Sequence, residues 1–150
     1  MYNFDKIDHQ ILRHLSKNGR LANTELADRV GLSPSACLRR VQALERQGVI
    51  RGYKAVLDPA QLGRGFVAYI TVGLNDHTTE SQTAFERAIA RAPEVVECHN
   101  ITGAVEYLLR VEVADLATYK TFHADTLGRL PQVNSLTTFV VMASPKDARA

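Results

Sequence analysis

Between Val30 and Cys37 the chain reads Gly-Leu-Ser-Pro-Ser-Ala, and this short stretch constrains the fold more than any other. Apolar residues recur at helical spacing on both sides of it. Leu26, Ala27 and Val30 precede it; Cys37, Val41 and Leu44 follow at i, i+4 and i+7, with Leu38 widening the stripe. Gly31 tolerates the left-handed backbone on which a helix ends. Ser33 offers an oxygen to an orphan N–H of the next helix, and Pro34 suits its first position. Two helices joined by so little chain cross steeply, and the small Ala27 lets them approach closely. The first helix of the pair, capped by Asn23 or Thr24, is short; the second runs from about Pro34 to Gln47, where Gly48 stops it. An earlier helix, Asp5 to Ser16, aligns Ile7, Ile11, Leu12 and Leu15 and ends before Gly19.

With its apolar stripe turned inward, the second helix of the pair exposes Ser35, Ala36, Arg39, Arg40, Ala43 and Arg46. A short helix, a glycine turn and a basic outward face meet the steric requirement for inserting a helix into a DNA major groove. Arg39 and Arg40 are placed to reach guanine edges or phosphates, and Ser33 and Ser35 to bond backbone oxygens. Arg46, Arg51 and Lys54 extend a phosphate-facing rim. The charge distribution agrees: residues 1–58 hold ten Lys/Arg against six Asp/Glu, a net +4, whereas residues 59–150 hold eight against ten, a net −2. Residues 49–57, VIRGYKAVL, have strand-forming character interrupted by Gly52, which fits an extended segment or a small hairpin. Pro and two glycines punctuate residues 58–65 as a linker.

The second half alternates strand and helix patterns. Residues 66–74 form an apolar strand. Residues 80–92 align Phe85, Ala88, Ile89 and Ala92 before Pro93. Strands follow at about 95–101 and 107–113, with a turn around Gly103 between them. A helix at about 116–130 carries Tyr119, Phe122 and Leu127 and closes at Pro131, and residues 133–142 supply a last strand. The order β-α-β-β-α-β is that of a ferredoxin-like sandwich, with both helices on one sheet face. The other face is left bare, which favours pairing with a second copy.

Several function classes find no support. No apolar run approaches the ~18 residues that cross a bilayer, and MYNFDKIDHQ lacks the apolar core of a signal peptide. A cytoplasmic location and no membrane partner are expected. Cys37 and Cys98 lie in no Cys-x-x-Cys or Cys/His cluster and read as reduced, partly buried thiols. His9 and His14 are five apart on a helix, His77 falls in a polar loop, and His99 alternates with Cys98 across a strand. These positions, with His123 on the last helix, are those of helix surfaces and interfaces, not of a metal site or a catalytic set. No phosphate loop, dinucleotide fingerprint or Ser-His-Asp set appears. Neither enzyme activity nor a cofactor or metal is expected.

The run NGRLANTELADRVGLSPSACLRRVQALERQGVIRGYKAVLDPAQLG resembles the helix-turn-helix and linker of the Lrp/AsnC, or feast/famine, regulators, through ELADRVGLS, CLRRV, LE-x-x-GVI-x-GY and LDP at matching offsets. Farther on, TGAVEYLLRVEVADLATY and LGRLPQVNSLTTFVVM are similar to that family's ligand-sensing domain, so the resemblance runs from about Phe4 to Met142. It implies an α+β protein: a winged helix-turn-helix domain (1–57), a linker (58–65) and a ferredoxin-like effector-binding and oligomerisation domain (66–150). It implies binding to double-stranded DNA through Ser33, Pro34, Ser35, Ala36, Arg39, Arg40, Arg46, Arg51 and Lys54. An amino acid or related small effector would bind between dimers that assemble into octamers, and the regulated genes would serve amino-acid metabolism. The family's effector loop commonly reads Gly-Asp-x-Asp-Tyr; here it is Gly103-Ala104-Val105-Glu106-Tyr107, with Glu106 keeping one acid and Ala104 removing the other. Phe139, Val140 and Val141 match the family's aromatic-Val-Val strand as apolar lining. Two alternatives share parts of this pattern: certain haem-pathway decarboxylases resemble the same two-domain architecture, and a stand-alone amino-acid-binding module needs no basic helix.

Overall fold

The computed structural model describes residues 3–147. The chain divides into two compact units, one ending at Ala55 and the other beginning at Val56.

The first unit contains α1 (Lys6–Lys17), α2 (Asn23–Val30) and α3 (Pro34–Arg46). Ile11, Leu26, Ala27, Val30, Cys37 and Leu44 form its buried centre, with Ile7, Leu12, Leu15, Val41 and Ile50 packed around them. Asp5 caps α1 in a reciprocal capping box with Asp8, each carboxylate accepting from the other's backbone N–H at 2.8 and 3.2 Å. The turn after α2 is made by Gly31 at φ +71°, left-handed backbone that a side chain would strain. Ser33 caps α3, its hydroxyl accepting from the Ala36 N–H at 3.2 Å.

Two expectations are corrected. Neither Asn23 nor Thr24 caps α2: Ala22 holds that position, and the Asn23 amide instead donates to the Pro34 carbonyl at 2.9 Å, tying the start of α2 to the start of α3. Leu38 does not widen the core and stays 46% exposed, because it lies about 100° beyond the centre of the buried stripe on a helix of 3.6 residues per turn. Of the two forms open to residues 49–57, the hairpin is absent, since residues 51–58 make no strand pairing and no turn. Tyr53 there donates to Glu45 of α3 at 3.0 Å.

The second unit runs β1 (Phe66–Leu74), α4 (Thr79–Ile89), β2 (Val95–Asn100), β3 (Tyr107–Val113), α5 (Leu116–Phe122) and β4 (Val133–Val140). The four strands form one antiparallel sheet in the order β2-β3-β1-β4, the ferredoxin-like arrangement. Alternation, strict in β3 and broken in β1 by a buried Gly73 at a register shift, buries Ala68, Ile70, Val72 and Leu74 of β1 and Tyr107, Leu109, Val111 and Val113 of β3, against Phe85, Ile89, Tyr119, Phe122 and Leu127. The expected single helix over 116–130 is shorter. After Phe122 the chain widens into a π-helical turn, His123–Leu127, closed by the Gly128 N–H on the His123 carbonyl five residues back. Only one thiol is buried: Cys37 is inaccessible, whereas Cys98 on edge strand β2 is exposed.

Candidate DNA-binding helix and effector loop

On α3, at 100° per residue, Ser35, Arg39, Gln42 and Arg46 fall within a stripe about 60° wide. All four are exposed, as are Ser33, Pro34, Arg51 and Lys54, while Ala36 is half-buried. Gln42 was missed in the outward-face assignment, although the period alone places it between Arg39 and Arg46. The Ser33 hydroxyl is occupied as a cap and lies 3.3 Å from the Ser35 hydroxyl, so it has only its proton to offer a DNA oxygen.

Arg40 departs from the expected outward placement. The helix period sets it about 140° from Ser35, on the flank of the buried stripe. Its Nη1 donates to Asp5 Oδ2 at 2.7 Å and to Asp8 Oδ1 at 2.9 Å. Asp8 is 2% exposed, a buried charge that needs a partner. The Asp8 N–H first, and the Arg40 guanidinium second, hold the Asp5 carboxyl below the usual carboxylate range.

In the second unit, Gly103 takes φ +121° in the turn between β2 and β3, a conformation that excludes most side chains. Gly103 and Ala104 are exposed, and Val105 and Glu106 are half-buried. Glu106 braces the loop. Its backbone donates to the Val72 carbonyl at 3.1 Å, its Oε2 accepts from the Leu74 N–H at 2.7 Å, and its Oε1 lies 2.8 Å from His77 Nδ1. Tyr107 turns away into the core at 1% exposure, stacks near Phe85, and donates to Glu86 Oε1 at 2.6 Å. Burial, then that carboxylate, pushes its hydroxyl up to about 12. It belongs to the wall of a groove of about 360 Å³ with Glu86, Cys98 and Asn100, a groove not lined by Gly103 to Glu106.

The loop and Phe139–Val141 are not brought together within one chain. The loop sits beyond the β1 end at which Gly73 pairs with Ser135, whereas Phe139 pairs with Tyr69, four residues and about 13 Å farther along β4. Phe139 projects from the face opposite α4 and α5 and Val140 from the other; Val141 lies just past the strand, its N–H donating to the Val67 carbonyl at 2.9 Å. Sequence order concealed this separation because strand register is a long-range property. Among the described residues, no group of three or more His, Cys, Asp or Glu side chains could hold a metal ion, and no helix is long and apolar enough to cross a membrane.

Comparison with known proteins places these features. A winged helix-turn-helix DNA-binding model matches residues 4–51, and the Lrp/AsnC ligand binding domain model matches residues 67–150. The chain is 42% identical over 144 residues to the leucine-responsive regulatory proteins of Escherichia coli K12 and Salmonella typhimurium, covering 96% of this chain and 88% of each relative. Among solved structures, a transcriptional regulator from Neisseria meningitidis in complex with L-methionine superposes with a TM-score of 0.93 at 36% identity, covering 97% of this chain and 94% of that one. An AsnC family transcriptional regulator from Agrobacterium tumefaciens gives 0.89 at 34%, covering 96% and 94%. These relatives are regulators, not decarboxylases. A DNA-binding helix-turn-helix unit followed by a ligand-binding ferredoxin-like unit, matched over almost the whole chain, makes this protein a member of the Lrp/AsnC family of transcriptional regulators.

Proposed function

We propose that the protein is a cytoplasmic homo-oligomer, built from dimers up to an octamer, that binds specific DNA sites through α3 and changes its affinity or assembly when an apolar amino acid binds. The exposed stripe Ser35, Arg39, Gln42 and Arg46 on a well-capped helix is the observation that carries this reading. In it Arg39 reads a base edge or phosphate, Ser33 and Ser35 hold phosphates beside the Pro34 and Ala36 backbone, and Arg46, Arg51 and Lys54 form a basic rim. Two such helices in a dimer enter successive major grooves about 34 Å apart.

Methionine and leucine are the first effectors to test, because a relative is a complex with L-methionine and others are leucine-responsive proteins. The loop residues Gly103, Ala104, Val105, Glu106 and Tyr107 form one half of the effector site, and Phe139, Val140 and Val141 line the other. Their separation within one chain suits a site completed between copies. The bare sheet face, which includes Tyr69, Leu108 and Phe139, supplies a dimer surface. An effector acts only through different affinities for alternative assemblies. The test is enrichment of a random-sequence duplex library by the native protein, followed by mobility shift and sedimentation with and without L-methionine or L-leucine. Absence of any enriched sequence defeats the DNA reading; identical binding and assembly with both amino acids defeats the effector reading.

A further inference from the structure

We infer that Arg40 is a positioning residue, not a DNA contact: by gripping Asp5 and Asp8 of α1 it sets the orientation in which α3 presents Ser35, Arg39 and Arg46. This rests on the reading of α3 as the DNA-contacting helix. One guanidinium nitrogen donates to both carboxylates, at 2.7 and 2.9 Å, across more than thirty residues of sequence. The two acids belong to one capping box, so their like charges stand close together with Asp8 inside the fold. A cation beside such a pair offsets the repulsion between the two carboxylates. A phosphate would offer Arg40 a single solvated charge. Turning the guanidinium away to reach it would strip the cation from two carboxylates, one of them buried, and leaving a buried charge unpaired is strongly unfavourable. Arg39, one residue earlier and about 100° around the helix, is exposed and makes no such tie among the described residues. The adjacent arginines therefore divide the work: Arg39 faces DNA, and Arg40 fixes the helix that carries it.

The consequence is measurable because a contact and a brace differ in salt dependence and in specificity. Full-length native protein, Arg40→Gln, Arg40→Lys, Asp8→Asn and the double variant Arg40→Gln/Asp8→Asn are titrated by fluorescence anisotropy against a library-enriched duplex and its scrambled counterpart, at several salt concentrations. Misdirecting α3 lowers affinity for the enriched duplex roughly tenfold in both Arg40→Gln and Asp8→Asn. It leaves the scrambled duplex and the salt slope essentially unchanged. The double variant binds no more weakly than the weaker single one, because both remove the same brace. Arg40→Lys, which keeps the cation, recovers most of the loss. The inference is overturned if Arg40→Gln lowers the salt slope by about 0.9 and weakens both duplexes alike, or if Asp8→Asn binds as tightly as native. Should circular dichroism show Arg40→Gln unfolded, Asp8→Asn and Arg40→Lys decide by the same criteria. Failure of the native protein to enrich any sequence, with Arg39→Ala unchanged, instead removes the underlying reading of α3.

Discussion

Helix α3 and the loop from Gly103 to Tyr107 each mix residues that face outward with residues that the fold uses for itself. On α3 the helical period sorts them: Ser35, Arg39, Gln42 and Arg46 lie outside, Cys37 and Leu44 inside, and Arg40 on the border is drawn to Asp5 and Asp8. In the loop no period exists. Ala104 is exposed, whereas Glu106 two residues on sets its carboxylate against Leu74 and His77. A charged side chain in a functional segment is thus not automatically a functional contact; its burial and the groups already bonded to it decide.

The largest effects test whether the two units stand apart energetically. Leu109→Ala, at a position with no accessible surface under the sheet, should lower the stability of its unit by about 2–5 kcal/mol, and Leu44→Ala should do the same in the other. Hydrogen exchange read separately over 3–55 and 56–147 should show protection falling only in the mutated unit. Equal loss in both units from either variant would collapse the comparison into one cooperative body.

Next in size is the outward stripe. Arg39→Ala should weaken binding to the enriched duplex by about 1–3 kcal/mol and reduce the salt slope by about one if it touches phosphate. Gln42→Ala on the same stripe should alter sequence preference with the slope intact. An Arg39→Ala protein that binds as the native does would remove α3 from the DNA surface.

Much of this was legible in the sequence where local rules govern. The Gly31 turn, the Ser33 cap, the alternation along β1 and β3 and the order of elements along the chain all follow from residues a few positions apart, and the structure forms them. What escaped reading depends on partners distant in sequence. Asn23 resembles a cap, but its amide reaches Pro34 eleven residues on. Asp5 and Asp8 look like an ordinary helix start until Arg40 closes on them. Phe139 and Gly103 match one family pocket, yet register sets Phe139 four residues along the sheet from the end where Gly103 lies. The flank position of Arg40 and the outward position of Gln42 both follow from the helix period.

Two tyrosines compare the units at high pH. Burial, then a carboxylate partner, pushes the hydroxyls of Tyr53 and Tyr107 up to about 12, from 10.0 for the free side chain. Each raised value favours the folded state below pH 10, and the advantage disappears as pH climbs from 10 towards 12 while the unfolded phenol ionises. Tyr107, nearly inaccessible, should contribute a loss of on the order of 2 kcal/mol by pH 12. Tyr53, 51% exposed, should contribute far less because solvent screens it. Denaturant titrations from pH 9 to 12 on Tyr107→Phe and Tyr53→Phe would check this: the first should flatten the loss, the second barely alter it. The reverse order would show Tyr53 to be the more constrained of the two.

The smallest effect lies at the Glu106–His77 pair, where the contrast with Arg40 is sharpest. Arg40 is committed because its partner Asp8 is buried. The partner of Glu106 Oε1, His77, is 83% exposed and its pull on the carboxylate is screened by solvent, so in the proposed effector site an amino-acid ammonium would take its place. Meanwhile Oε2 stays on the Leu74 N–H and keeps the loop in shape. His77→Ala should therefore leave the fold intact and tighten L-methionine or L-leucine binding slightly, by about 0.2–1 kcal/mol, the size of an exposed ion pair removed from competition. Glu106→Gln, which retains an oxygen for the Leu74 N–H but loses the charge, should weaken the same ligand. Calorimetry on both variants separates the cases: if His77→Ala weakens the ligand as much as Glu106→Gln does, the imidazole is itself part of the effector site, and Glu106 is as locked in place as Arg40.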